Sequence, residues 1–228
     1  VAGDPMIAAH FTNVRPTALC TRIENDSGVS VSTIEHLMAA LAGCGITNAR
    51  IEIDGPEVPI LDGSAAGFVA GILEKGITAL AAPVAVLRVL KPVMVRDGDA
   101  WCRLDPHEGL EIAFEIEFDE KGIGHQTKTL SLANGTFVRE LADSRTFCRM
   151  ADVEAMRAAG KALGGSFENA VVFDDGAVLS PGGLRHADEP VRHKMLDALG
   201  DLSLAGAPFL GRYTGHRAGH TLTNRLLR

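Results

Sequence analysis

Two observations predict a fold that mixes helices and strands. Segments that alternate with period two are interleaved with segments of helical period along the 228 residues. The run Ile34-Glu35-His36-Leu37-Met38 is echoed by Val191-Arg192-His193-Lys194-Met195, and both continue into Ala-Leu and a Gly. The later residues slip by one position, so the echo is a hint of duplication only.

The elements follow in order. In residues 32–43 (STIEHLMAALAG), Ser32 and Glu35 stand at capping-box spacing ahead of an apolar run, which predicts a helix. Residues 49–54 (ARIEID) alternate and stop at Gly55-Pro56, as a strand would. Residues 63–74 read as a helix with Asp62 and Ser64 near its start. The small, unpatterned stretch 79–83 is taken as a linker, dividing the chain into units 1–82 and 83–228. Residues 84–95 read as strand broken at Lys91-Pro92, and 110–118 (LEIAFEIEF) as a half-buried strand. Residues 152–159 look helical up to the stop at Gly164-Gly165, and 170–173 look like a buried strand. Pro190 suits the first turn of a helix over 190–204, which Gly206 and Pro208 stop. Residues 214–228 read as a glycine-rich loop that enters a helix near Thr221.

Composition narrows the function. With 46% hydrophobic and 22% charged residues the chain is an ordinary globular one, too apolar for disorder. A net charge of -7 makes it a poor general nucleic-acid binder, whose affinity comes from neutralising phosphates. No apolar run nears the roughly 20 residues that span a bilayer, and no signal peptide is visible. Cys20, Cys44, Cys102 and Cys148 show no CxxC spacing, so a reduced, cytoplasmic setting is the simpler expectation.

The chemistry concentrates in three segments. In 190–204, Val191, Met195, Ala198, Leu199 and Leu202 form one stripe of the expected helix, while His193, Asp197 and Asp201 form another. Imidazole and carboxylate one turn apart suit zinc, although a polar helix face is usually only solvated. In 32–43, Glu35 sits beside His36; locally, a helix cap and a first-turn polar residue are the commoner roles. One ligand from one helix and two from another would leave a cation an open position, as catalytic zinc requires. The HExxH pattern of thermolysin-type proteases is absent. In 214–228, His216 and His220 lie among glycines with Arg217 between them, placed to meet an anionic group.

Taken together, STIEHLMAAL, GPEVPILDGSA, SRTF, ALGGSFENAVV, LRHADEPVRHKMLDALGDL and GHTLTNRLLR resemble the UDP-3-O-acyl-N-acetylglucosamine deacetylase (LpxC) family over nearly the whole chain. The resemblance implies an α+β fold of two similar two-layer α/β sandwich domains, helices packed face to face, and a monomer. It implies Zn2+, or Fe2+, on His36, His193 and Asp197. Glu35 would be the general base, His220 the general acid oriented by Asp201, Thr146 the oxyanion hydroxyl and Lys194 a substrate contact. Phe147, Val153, Met156, Ser166 and Ala170 would form an acyl-chain passage, Val153 and Met156 matching only as apolar residues. Arg217 stands where the family often has Lys near the substrate phosphates. The expected reaction removes acetate from an acylated UDP-amino sugar in lipid A synthesis. The family's initial strands, with a Gly-Leu-His-Thr/Ser-Gly segment, and its last helix have no counterpart here, so an incomplete copy is expected. Three rivals stand beside this reading. A metal-stabilised nucleotide-sugar binder would not need Glu35, His220 and Asp201. A zinc amidohydrolase for a soluble acetamide would not need an apolar passage. The third is a structural fragment without activity.

Overall fold

A computed structural model of the chain describes residues 5–17, 19–158 and 164–228. The architecture is α+β. Strands β1 (Val14–Arg15), β2 (Arg22–Glu24) and β3 (Ser30–Val31) form a small antiparallel sheet, followed by helices α1 (Glu35–Gly43) and α2 (Ala66–Lys75). Next come β4 (Leu87–Arg88), β5 (Val93–Asp97), β6 (Ala100–Asp105), β7 (Leu110–Glu117) and β8 (His125–Ser131). A short helix α3 (Thr136–Glu140) leads into β9 (Phe147–Arg149), α4 (Met150–Ala158), β10 (Val171–Asp174) and β11 (Ala177–Val178). Helix α5 (Glu189–Ser203), strand β12 (Phe209–His216) and helix α6 (His220–Leu226) complete the order.

The large sheet runs β5-β6-β12-β7-β8, and β4 pairs with the start of β12. Strand β12 lies at its centre, antiparallel to β6 and parallel to β7. Glycine serves β12 at a specific place: a Cβ on Gly215 would sit 2.7 Å from the Phe114 ring. Helix α5 packs on β7 and β8 and also against α1 and α6. Ile112, Ile116, Met195, Leu196, Leu202 and Tyr213 are fully buried in this core. Each such aliphatic side chain contributes about 1.5–3 kcal/mol relative to exposure. The two echoing runs lie in the N-terminal parts of α1 and of α5, so the related segments belong to the helices that pack together.

Three expectations need correction. The Ser32–Glu35 capping box does not form. Helix α1 starts at Glu35 itself with Ile34 as its uncapped N-cap, and Thr33 ahead of it is left-handed at φ 58°. Residues 49–54 have strand periodicity but no ladder partner, and Ile51 and Ile53 stay exposed. A strand persists only where neighbouring backbone groups pair with it. Thr214 and His216 belong to β12 and not to a loop, because β6 and β7 supply partners on both sides. The polar stripe of α5 is buried, as its expected role at the site requires: His193, Asp197 and Asp201 lie among the helix's buried residues. Helix α4 covers the expected 152–159 segment up to Ala158; Ala159 lies outside the described residues. No helix among the described residues is long and apolar enough to cross a membrane.

Candidate active site

The crossing of α1 over α5 builds the site. A Cβ at Gly200 would lie 2.1 Å from the Glu35 carbonyl oxygen, so glycine lets the two backbones approach there. That crossing sets Glu35 and His36 of α1 against the His193, Asp197 and Asp201 face of α5. All five are buried polar residues.

One ligand atom each from His36, His193 and Asp197 lies within 4.8 Å of the others. The Asp197 Oδ1 atom is 3.3 Å from His193 Nε2 and 3.6 Å from His36 Nε2. Atoms bound at about 2.0–2.2 Å to one tetrahedral cation lie roughly 3.3–3.6 Å apart. Asp197 Oδ1 is buried with no hydrogen-bond partner, a costly state for a carboxylate oxygen unless a cation meets it. Burial pushes the His193 imidazole down to about 4 against the pull of Asp197, so the ring is neutral. The Ser144 carbonyl, 3.0 Å from His193 Nδ1, accepts the proton there and frees Nε2 for a ligand bond. Burial would raise the Asp197 carboxyl, yet the positive charges of Lys194 and His220 hold it well below the usual range. Two imidazole nitrogens and one carboxylate, the His193 ring neutral, therefore fit a zinc-type cation.

The Ser144 carbonyl is itself held in place. Buried Glu189 accepts from the Arg145 backbone N–H, 2.9 Å, and from its guanidinium, also 2.9 Å. Sequence reasoning missed this pair, and its only signal was an Arg inside SRTF. The next residue, Thr146, donates its N–H to Gly63 and accepts from Val171, which ties it to both flanking segments.

Glu35 and His220 face each other across the cluster. The His220 Nε2 atom is 4.0 Å from Glu35 Oε1 and 3.9 Å from Asp197 Oδ2. Its Nδ1 is 2.8 Å from Asp201 Oδ2. Burial alone would lower His220, but the Asp201 carboxylate outweighs it and pushes the ring up to about 9. Burial raises the Glu35 carboxyl, and Asp197 adds to it while His220 opposes. The two shifts leave a buried carboxyl facing an imidazole that holds its proton. Lys194 Nζ lies 2.8 Å from Asp197 Oδ2.

A cavity of about 410 Å³ opens beside the cluster, lined by residues that include Phe118, Asp119, Arg149, Lys194 and Arg217. Lys194 and Arg217 were expected at a substrate; Phe118, Asp119 and Arg149 were not, because they are scattered over 32 residues with no shared pattern. Arg217 is exposed and left-handed at φ 50°. Phe147 is brought to the site, its ring edge-on to His193 at 6.3 Å between centroids. Ala170 follows close by, since Val171 pairs with Phe147. Val153 is half-buried on α4, and Ser166 is exposed in a turn closed by Asn169. None of Val153, Ser166 and Ala170 lines the cavity. Met156 lies in α4, and its side chain falls outside the described residues.

Comparison with known proteins agrees with this geometry. The family model described as LpxC, UDP-3-O-acyl N-acetylglycosamine deacetylase, matches residues 2–228. A protein of Shewanella sp. (strain W3-18-1) named UDP-3-O-acyl-N-acetylglucosamine deacetylase is 49% identical over 224 residues, 97% of this chain and 73% of its own. Proteins of the same name from Shewanella sp. (strain ANA-3) and Shewanella baltica (strain OS155 / ATCC BAA-1091) are 48% identical over the same shares. The chain therefore belongs to the LpxC family of deacetylases, metal-dependent amide hydrolases.

Proposed function

We propose that the protein hydrolyses the acetamide of UDP-3-O-(3-hydroxyacyl)-N-acetylglucosamine to acetate and the free amine, the committed step of lipid A synthesis. The observation that carries this reading is the partnerless Asp197 Oδ1 beside two imidazole nitrogens, with a base and an acid within about one hydrogen-bonding step. In this reading residues 1–82 contribute Glu35 and His36, and residues 83–228 contribute the remaining groups. His36, His193 and Asp197 hold the cation, zinc or ferrous iron. When bound, it supplies Lewis-acid polarisation of a carbonyl and lowers the pKa of a water to about 7.

The chain's own residues do the rest. Glu35 accepts a proton from the attacking water, and its burial makes it the stronger base. The Thr146 hydroxyl donates to the oxygen on which negative charge develops. His220, kept protonated by Asp201, gives its proton to the departing nitrogen as the C–N bond breaks. Lys194 and Arg217 supply positive charge for the sugar nucleotide from the cavity wall. Phe147 and Ala170, with Val153, Met156 and Ser166, direct the acyl chain.

The test is acetate release from this substrate by protein stripped of metal and then reloaded with zinc. Activity should vanish and return, and Glu35→Ala should lower turnover about 10²–10⁴-fold while the metal stays bound. Acetate release that survives stripping, or a Glu35→Ala protein with ordinary turnover, would sink the reading.

A further inference from the structure

Four residues from four parts of the chain close a ring at the site. Thr21, just before β2, donates its backbone N–H to Glu35 Oε2 at 2.9 Å. Its hydroxyl lies 2.5 Å from Asp201 Oδ1, a residue 180 positions away on α5. The second Asp201 oxygen takes His220 Nδ1 at 2.8 Å, and His220 Nε2 stands 4.0 Å from Glu35 Oε1. The Thr21 carbonyl also accepts the Ile34 N–H at the start of α1. Thr21 is 1% exposed, as is Asp201.

We propose that Thr21 is a positioning residue that ties the Glu35 carboxylate to the Asp201–His220 pair; the proposal rests on the acid–base reading above. The Thr21 hydroxyl donates to Asp201 Oδ1, and a hydroxyl supplies a single such proton. With one oxygen held by Thr21 and the other by His220, the Asp201 carboxylate cannot turn about its Cβ–Cγ bond without losing a hydrogen bond at a buried position. The imidazole is thereby aimed across the cluster. The backbone N–H of the same residue fixes one Glu35 oxygen, which leaves Oε1 facing His220. A single buried residue thus sets the orientation of both proton-transfer groups relative to each other. Sealing the junction of β2 and α1 would need only the shape of the side chain, which valine reproduces. Aiming Asp201 needs the hydroxyl.

The experiment follows kcat and KM for acetate release in metal-replete enzyme. Thr21→Val should lower kcat about ten- to hundredfold, with KM, metal content and melting temperature near those of the parent, because small misplacements of reacting groups cost rates of that order. Thr21→Ser should restore kcat to within about threefold, since it returns the donor. In an Asp201→Ala background, Thr21→Val should cost less than about twofold more, because the two act through one contact. Thr21→Ala removes the same hydroxyl with less bulk and is read the same way if the valine variant does not fold. The proposal is overturned if kcat of the hydroxyl-free variant matches the parent while Asp201→Ala is slow. Serine as slow as valine, or losses that multiply in the double variant, would overturn it too. Parental turnover in Asp201→Ala would instead defeat the acid–base reading together with this one.

Discussion

Single residues at the site are tuned by burial and by one neighbour each. His193 is neutral because it is buried, and His220 is charged because Asp201 outweighs the same burial. The signs give a pH dependence. The proposed base must be ionised, and the Glu35 carboxyl lies above its ordinary 4.5, so the acid limb of the rate should fall above that value. The proposed acid, His220, must be protonated, so the rate should decline as pH rises through about 9. A kcat profile measured from pH 5 to 10 should be bell-shaped, and His220→Gln should remove the alkaline limb along with most of the turnover. A flat profile would contradict the assignment. Glu35, His36, His193, Asp197, Asp201 and His220 were all nameable from the sequence, because they sit in long motifs. Thr21 was not: it contacts Asp201 through space across 180 positions, and threonine before a short strand carries no local signal.

At the scale of elements, one crossing matters most. Helix α5 accepts a glycine at 200, although glycine inside a helix costs about 1 kcal/mol relative to alanine. By propensity alone, Gly200→Ala should stabilise the helix. The new Cβ would meet backbone at 2.1 Å, so α1 must shift instead, carrying Glu35 and His36 with it. The variant should melt lower and bind metal more weakly, both checkable by calorimetry and metal titration; a more stable variant with parental metal affinity would refute the close-approach argument. The residue just ahead of strand β10 offers a second test. Ala170→Leu should raise KM for a long-chain substrate and spare a short-chain one, since each buried methylene of the chain is worth about 0.8 kcal/mol. Equal losses for both, together with a lower melting temperature, would make Ala170 only a packing residue between β9 and β10.

Across the whole molecule, the proposed cation would join α1 to α5 and so couple binding to folding. A ligand that binds only the folded state adds about 2.7 kcal/mol when present at 100 times its Kd. Chelation should therefore lower the melting temperature of the parent, and His36→Ala should make the melting curve insensitive to chelator. A parent whose melting is unchanged by metal removal would argue against a cation shared by the two helices. The sequence by itself determined the period of most elements and which residue types could gather into a site. Alternation in 110–118 became β7, and the stripe in 190–204 became α5. Those signals are local, because side-chain period depends only on near neighbours along the chain. The tertiary structure alone decided which strands found partners. It left residues 49–54 unpaired, while β12 was drawn into the middle of the sheet despite its glycines. It also decided that the polar face of α5 would be buried under α1 and not solvated, and that Thr21 would meet Asp201. Hydrogen-bond pairing and helix crossing join groups far apart in the chain, so no local pattern carries them.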